Sequence, residues 1–211
     1  MGKAIPSIIF AVAGLRERQK QRRRERIYHT ALELFREQGF DRTTADDIAR
    51  KSNVSRGTFF NYYPYKEAVL LEYGAELLDE AWAEAEQQLA QGAEPLLVLR
   101  DFWDRLAELS EVELGPELFS RLAYELLNPD PERAAYAYKM LPLAERVKRL
   151  LLPLSEAGRL RKDLSLERIS AVLADNFLLA ALRWSAYGAG RNLKEETHKF
   201  LKLALEGALA R

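Results

Sequence analysis

The chain has 211 residues, of which 48% are apolar and 30% are charged. This composition supports one sizeable core, or a small domain on a larger one, and carries too much charge for a membrane bundle. Cysteine is absent, which excludes disulfides, thiolate metal sites and thiol nucleophiles, and the only two histidines lie far apart in sequence. The formal net charge is zero, which by itself argues against a nucleic-acid partner.

This zero net charge is divided unevenly along the chain. Residues 1–65 contain 13 basic and 7 acidic side chains, and the remaining residues contain 19 basic and 25 acidic ones. Within residues 16–26 alone, seven basic side chains stand against two acidic ones. The two parts are therefore expected to face different partners. The basic stretch is either a solvated helix face or a surface that lies along nucleic-acid phosphates or reaches a minor groove.

An apolar run over residues 4–14 precedes the basic stretch. A secretion signal is disfavoured, because a single lysine precedes the run and Pro6 interrupts it. The run is also about half as long as a membrane span requires. We expect residues 1–15 to be an extension in front of the folded part of a cytoplasmic protein that has no membrane partner.

Apolar residues at helical spacing begin the folded part. Ile27, Ala31, Leu34 and Phe35 form one stripe, and Gly39 follows as a C-cap glycine. This pattern predicts a first helix over about 16–38.

Capping residues mark two short helices after it. Thr44 and Asp47 have the spacing of a capping box, which predicts a short second helix. Asn53 stands in the following turn, where it can adopt the left-handed conformation. Ser55 is then predicted to cap a third short helix that ends at about Tyr62.

The rest of the chain is divided by prolines. Pro64 precedes a long predicted helix over about 65–90, and Pro116 and Pro131 suit the first positions of later helices. Pro142 is expected to kink the helix that contains it, since proline lacks an N–H and clashes with the preceding turn. Such a break often borders a cavity.

Two further helices are predicted at the end of the chain, over about 165–187 and 193–210. Asn192 and Glu195 have the spacing of an N-terminal cap for the last one. No segment shows sustained alternation of apolar and polar residues. The sequence therefore predicts an all-α fold of about nine helices.

Residues 20–80 carry a specific resemblance. The segment TTADDIARKSNVSRGTFFNYYPYKEAVL (43–70), together with ALELFREQGF before it, resembles the DNA-binding head of the TetR family of bacterial transcriptional repressors. The resemblance implies a helix-turn-helix domain over 16–65 and a ligand-binding and dimerisation domain over 66–211.

The head supplies candidate DNA contacts. Thr43 and Thr44, at a helix N-terminus, can bind a phosphate. Arg56, Thr58 and Asn61 can reach base edges in the major groove. Gly57, next to Thr58, allows the backbone to approach the DNA closely. The family's matching residues imply that Tyr62 and Lys66 bind backbone phosphates. The predicted DNA-binding residues are Thr43, Thr44, Ser55, Arg56, Gly57, Thr58, Asn61, Tyr62 and Lys66.

Four positions in the head need separate interpretation. The family usually has tyrosine where this chain has Phe60, which predicts a weaker phosphate contact there. The family's turn glycine is replaced by Asn53, which tolerates the same backbone conformation. Phe59 and Tyr63, by their helical spacing, are interpreted as a small core rather than as contacts.

The last two helices carry a wide apolar stripe and several small residues, which either build a monomer's own core or pair with a second copy. In TetR-like proteins the corresponding helices form a four-helix dimer interface. The residues expected at this interface are Val172, Asn176, Ala180, Trp184, Ala204, Gly207 and Ala208.

The family also implies an inducer pocket between about residues 66 and 184. Core packing is the alternative for every candidate lining residue. The apolar candidates are Trp103, Phe119, Leu122, Leu126, Tyr138, Leu141, Phe177 and Trp184. Basic candidates for binding phosphates at the mouth are Arg121, Arg133, Lys139, Arg146 and Arg149. A long apolar pocket with a basic mouth suits a large amphipathic anion such as a fatty acyl-CoA thioester, and acyl-CoA-responsive regulators exist in this family.

The sequence therefore predicts a repressor that binds a palindromic DNA operator as a homodimer and is released by a small molecule. We expect neither an enzyme nor a cofactor, because no P-loop, nucleophile elbow or dinucleotide-binding glycine motif is present. The alternatives are a helical small-molecule-binding protein without DNA function and a transcriptional activator of the same family.

Overall fold

A computed structural model of the chain describes residues 7–187 and 192–208, with side chains from residue 16 onward. These residues form ten α-helices and one π-helical turn and contain no strand, which confirms the predicted all-α class and is close to the predicted helix count. The chain divides into two compact units, Met1–Leu70 and Leu71–Arg211, called the head and the body below.

The head contains three complete helices, α1 (Ser7–Gln38), α2 (Ala45–Lys51) and α3 (Arg56–Tyr62). Helix α1 begins nine residues before its predicted start, so part of the predicted extension over 1–15 is helical; residues 1–6 lie outside the described residues. A small core of buried apolar side chains holds the three helices together. Its members include Ile27, Phe35, Ile48, Phe59 and Tyr63.

The remaining helices build the body. They are α4 (Glu67–Ala90), α5 (Pro95–Leu109), the π turn (Ser110–Leu114), α6 (Gly115–Leu126), α7 (Pro131–Met140), α8 (Leu143–Glu156), α9 (Leu166–Tyr187) and α10 (Leu193–Ala208). Helix α4 begins at the end of the head, and its later turns belong to the body. The prediction that the last helix reaches residue 210 falls partly on residues 209–211, which lie outside the described residues.

Pro142 ends a helical segment instead of kinking one. It lies between α7 and α8 as the residue before Leu143, with φ −79° and ψ 53°. Because proline has no N–H to donate, the hydrogen-bond ladder of α7 cannot continue through it, and the last such bond joins the Leu141 N–H to the Ala137 carbonyl at 2.9 Å. The predicted kink is therefore wrong, and two separate helices replace one bent helix.

Helix α9 lies at the centre of the body and packs against α6, α8 and α10. By length and composition alone it would also pass as a membrane span, and 44% of its most apolar window is buried within the body. A single helix of this kind is weak evidence for a membrane.

Asn53 adopts the left-handed backbone conformation predicted from the sequence, with φ 53°. The turn it makes is closed by a hydrogen bond from the Val54 N–H to the Ala49 carbonyl at 2.9 Å. We predict that Asn53→Val destabilises the head by about 1–2 kcal/mol, because a β-branched residue is strained in this conformation. Asn53→Gly should keep its stability. Chemical denaturation of both variants tests this, and equal stability of the two would contradict it.

Candidate functional site

The two short helices of the head begin at well-formed caps. The Thr44 hydroxyl accepts a hydrogen bond from the Asp47 N–H at 3.1 Å, and the Asp47 carboxylate accepts one from the Thr44 N–H at 3.1 Å. Ser55 caps α3 in the same way, since its hydroxyl accepts from the Thr58 N–H at 3.1 Å. Both predicted caps are present. They fix where α2 and α3 begin, and therefore which side chains α3 presents to solvent.

The outer face of α3 presents most of the predicted base-reading residues. Arg56, Gly57 and Asn61 are exposed, and Thr58 and Tyr62 are half-buried. A Cβ atom added to Gly57 would meet nothing within 4 Å. No contact with the described residues therefore requires glycine at this position, although glycine is less favourable than alanine inside a helix. Close approach by an external molecule would explain it.

Two neighbours orient the Arg56 side chain. Its guanidinium lies 2.8 Å from the Asp46 carboxylate of α2 and 5.5 Å from the ring centroid of Phe60, one turn further along α3. Phe60 is 39% exposed, so this stacking occurs at the surface. From the sequence, Phe60 was interpreted only as a missing hydroxyl. The arginine-to-aromatic spacing of four residues was the signal for this second role.

Thr43 and Lys66 have structural roles in the head. The Thr43 side chain is buried, and its hydroxyl donates to the Gly39 carbonyl at 2.9 Å, so the prediction that this hydroxyl binds phosphate is wrong. The Lys66 ammonium donates to the carbonyls of Phe40 and Thr43 at 2.7 and 2.9 Å. It stabilises the connection between α1 and α2 in this geometry, which differs from the phosphate contact predicted for it.

The basic stretch of α1 is largely exposed, and two of its side chains contribute to the structure of the head. Arg26 donates from Nε to the Ser52 carbonyl at the end of α2, at 2.9 Å. Arg24 lies 5.9 Å from the ring centroid of Tyr63. Tyr63 and Phe59 are buried and lie 5.9 Å apart between ring centroids, in agreement with their interpretation as core.

The body encloses an apolar cavity of about 440 Å³. Helices α4 to α9 and the π turn all contribute to its wall. Six of the predicted lining residues do line it: Phe119, Leu122, Leu126, Tyr138, Leu141 and Phe177. Sequence reasoning missed the contribution of α4, which comes from Gly74, Leu77 and Leu78. The apolar stripe of that long helix was the available signal.

Gly74 is the point where α4 passes closest to α6. A Cβ atom there would overlap Leu122 Cδ1 and lie 3.3 Å from Leu141 Cδ2, and both leucines line the cavity. The glycine therefore leaves room for these two side chains against α4.

Two predicted lining residues stand behind the wall instead of in it. Trp103 is fully buried and packs edge-on against Phe177, with ring centroids 5.5 Å apart. Trp184 packs in the same manner against Phe119, at 6.3 Å. The prediction that either tryptophan contacts a ligand is corrected, because each supports a lining phenylalanine from the outside.

The residues of the predicted basic mouth do not line the cavity. Arg146 and Arg149 of α8 lie over the Trp82 ring of α4, at 5.0 and 4.6 Å from its centroid, and pair with Asp79 and Glu86. The Arg133 guanidinium forms two hydrogen bonds, of 2.7 and 2.9 Å, with the buried Glu125 carboxylate.

Arg121 and Lys139 are exposed and likewise lie outside the cavity lining. The charged residues that line the cavity are Glu145 and Asp175, and both are acidic. The arginines of α7 and α8 are thus engaged in helix–helix contacts, and none of the expected cations is among the described residues that line this cavity.

The predicted interface residues on α9 and α10 divide into two groups. Ala180, Trp184 and Ala208 are buried within the body and are therefore corrected to core positions. Val172, Asn176, Ala204 and Gly207 are exposed or half-buried. Large apolar side chains that were not predicted share this outer face, namely Leu179 (50% exposed), Tyr187 (74%) and Leu203 (73%).

Comparisons with known proteins match both units. Residues 27–73 match a family model described as bacterial regulatory proteins of the tetR family, and residues 75–207 match one described as the C-terminal domain of TetR/AcrR family transcriptional repressors. Among curated proteins, the chain is 39% identical over 83 residues to the HTH-type transcriptional regulator TcmR of Streptomyces glaucescens. That match covers 39% of this chain and 36% of TcmR, so the chain spans only about a third of that relative's length.

Solved structures match over most of the chain. FadR of Thermus thermophilus, a TetR family transcriptional repressor in complex with lauroyl-CoA, is 54% identical, with a TM-score of 0.83 over 89% of this chain and 96% of that one. FadR of Bacillus subtilis in complex with stearoyl-CoA is 17% identical, with a TM-score of 0.67 over 87% of this chain and 98% of that one, and shows the shared fold.

The cap of α2 gives the head a specific pH dependence. Hydrogen bonds from the Thr44 hydroxyl and backbone N–H, followed by the charge of Arg50, lower the pKa of Asp47 from its ordinary value of 3.8. A carboxyl with a lowered pKa in the folded state stabilises that state fully above its ordinary pKa, and this stabilisation is lost as the pH falls through the lowered value. We predict that Asp47→Ala destabilises the protein at neutral pH and that the difference shrinks toward pH 3. Urea denaturation across this range tests the prediction, which a pH-independent difference would contradict.

Proposed function

Because the chain belongs to the TetR family of bacterial transcriptional regulators, we propose that it is a cytoplasmic repressor that binds a palindromic operator as a homodimer. We further propose that a long-chain acyl-CoA releases it from DNA and that it has no catalytic activity. The observation that carries the proposal is an apolar cavity in the body of a chain that also has a helix-turn-helix head.

The exposed face of α3 supports DNA reading. Arg56 can form two hydrogen bonds with a guanine edge, and Asn61 can do so with adenine. In the free protein Arg56 forms an ion pair with Asp46 at the surface. Exposed pairs of this kind contribute little free energy, so Arg56 can leave Asp46 and bind a base at little cost. Phe60 below it keeps the guanidinium extended from the helix. Gly57 allows the backbone of α3 to approach the groove closely.

The length of the recognition helix and the exposed face of the body support the proposed dimer. Helix α3 has seven residues and can read only a few bases, whereas a two-fold pair reads both halves of a palindrome. The outer face of α9 and α10 exposes Val172, Leu179, Tyr187 and Leu203, an apolar surface that a second copy would bury.

An alkyl chain suits the cavity. Its volume of about 440 Å³ lies within the usual range for ligand pockets, and its buried wall consists of leucine, phenylalanine, glycine and alanine together with Ser110. Each methylene group buried there contributes about 0.8 kcal/mol. The lauroyl-CoA complex of the Thermus relative supports an acyl-CoA for this chain.

The carboxylates of Glu145 and Asp175 repel phosphates at the outer part of the lining. We therefore place the phosphates of CoA beyond this cavity, and the amide N–H groups of its pantetheine arm near the carboxylates.

Helix α4 provides a route from ligand to DNA. It begins at Glu67, in the last residues of the head, and supplies Gly74, Leu77 and Leu78 to the cavity wall. A ligand that fits one position of α4 better than another shifts the population of the two positions. A tenfold loss of operator affinity requires about 1.4 kcal/mol of such differential binding.

DNA binding is tested by fluorescence anisotropy with the DNA upstream of the protein's own gene, in a salt series. We predict binding that weakens steeply with salt, since phosphate contacts release counterions. Gly57→Ala should weaken binding without loss of stability, and Arg56→Ala should relax sequence preference by about 1–3 kcal/mol at one base pair. Arg100→Ala removes an exposed charge from the body and serves as the control. An absence of binding at low salt would contradict DNA recognition.

The homodimer is tested by sedimentation of the purified chain. Leu203→Glu places a charge on the apolar face of α10 and should convert the dimer to a monomer, because burying an unpaired charge is unfavourable. Val112→Glu is the matched control, since Val112 is also 73% exposed but lies in the π turn. A monomeric wild type, or a dimer that tolerates Leu203→Glu, would contradict this interface.

A further inference from the structure

Ser110 differs from the other buried serine and threonine residues of the described chain. Thr43, Ser52, Ser170 and Thr197 are each at most 1% exposed, and each donates its hydroxyl to a backbone carbonyl, at 2.9, 2.7, 2.7 and 3.0 Å respectively. Ser110 is 3% exposed, and its hydroxyl has no hydrogen-bond partner among the described residues. Its oxygen is not among the fully buried unpartnered atoms and instead opens onto the apolar cavity, where it is available to a ligand.

The Ser110 side chain lines the apolar cavity. It stands at the first position of the π turn, and its lining neighbours Leu106, Leu114 and Phe119 are buried and apolar. The other polar lining side chains, Tyr138, Glu145 and Asp175, are exposed. Ser110 therefore places a hydrogen-bonding group in the buried part of the cavity, apart from the polar groups of its outer part. Single π turns inside α-helices are often associated with function.

We propose that Ser110 is a specificity-determining residue that donates a hydrogen bond to an oxygen atom of the ligand inside the apolar cavity. The inference rests on the proposed acyl-CoA ligand and adds a preference within that class. A chain of methylene groups alone leaves the hydroxyl unpaired when it fills the cavity, whereas a carbonyl or hydroxyl oxygen at this depth pairs with it. Such an oxygen is available either from the thioester carbonyl or from an oxygenated position on the chain.

Three CoA compounds separate these two sources. Lauroyl-CoA carries the thioester carbonyl, S-dodecyl-CoA lacks it, and 12-hydroxylauroyl-CoA carries an additional hydroxyl at the end of the chain. Their affinities are measured by calorimetry for the full-length wild type and for Ser110→Ala. Alanine removes only the hydroxyl and is well tolerated in helices, so this variant should fold, which its thermal unfolding verifies. Ser170→Ala is the control, because Ser170 is a buried serine outside the cavity lining.

Two pairs are compared: lauroyl-CoA with S-dodecyl-CoA, and 12-hydroxylauroyl-CoA with lauroyl-CoA. In one of these pairs we expect the wild type to bind the first compound, which has the additional oxygen, about fivefold to tenfold more tightly, a factor equivalent to about 1.0–1.4 kcal/mol. Ser110→Ala should abolish that preference, and Ser170→Ala should keep it. The pair that shows the preference identifies the oxygen. The inference is overturned if Ser110→Ala changes the affinities of all three compounds by the same factor. If none of the three compounds binds the wild type, both the proposed ligand class and this inference fail.

Discussion

The close passage of α4 over the cavity wall is the constraint on which the rest of the body depends. Gly74 has no side chain, and Leu122 and Leu141 occupy the space that a Cβ would need. The same helix begins at Glu67 at the end of the head and carries two further lining leucines in its third and fourth turns. The first residues of this helix thus belong to the helix-turn-helix unit, and its later residues belong to the wall of the cavity.

Arginine pairing explains how the body holds α4 in place. Arg105 of α5 pairs with Glu80 and Glu84, and Arg146 and Arg149 of α8 pair with Asp79 and Glu86 over the face of Trp82. Each exposed pair contributes little alone. Several pairs along one helix, backed by stacking on a buried tryptophan, fix the rotation of α4 about its axis and hence which residues it turns toward the cavity.

The zero net charge of the chain conceals a basic excess in residues 1–65 and an acidic excess in the remaining residues. The excess of basic residues in the first 65 positions is partly structural, since Arg26 donates to a backbone carbonyl, while the cations on the exposed side of α1 and α3 face solvent. In the body, several of the acidic residues lie on α4 and form ion pairs with the arginines of α5 and α8. Charge composition alone therefore indicates which part faces DNA, but not which individual cations are available to bind it.

Local signals made the head predictable, and non-local packing limited what could be predicted of the cavity. The capping residues Thr44 and Ser55 and the left-handed Asn53 depend on neighbours within a few positions, and the structure confirms all three. The cavity is assembled from helices far apart in sequence, so lining phenylalanines could not be separated from the tryptophans behind them. Glu125, the buried partner of Arg133, gave no sequence signal that it would hold that arginine away from a ligand.

The central claim is that one ligand-binding event in the body weakens DNA binding by the head. Titration of a preformed complex between the protein and its operator DNA with lauroyl-CoA, followed by anisotropy of the labelled DNA, tests it most directly, with free CoA as the control. Release of the DNA by lauroyl-CoA at least tenfold more effectively than by free CoA is the expected result. A complex that keeps its DNA while calorimetry shows lauroyl-CoA bound to the protein would contradict the claim.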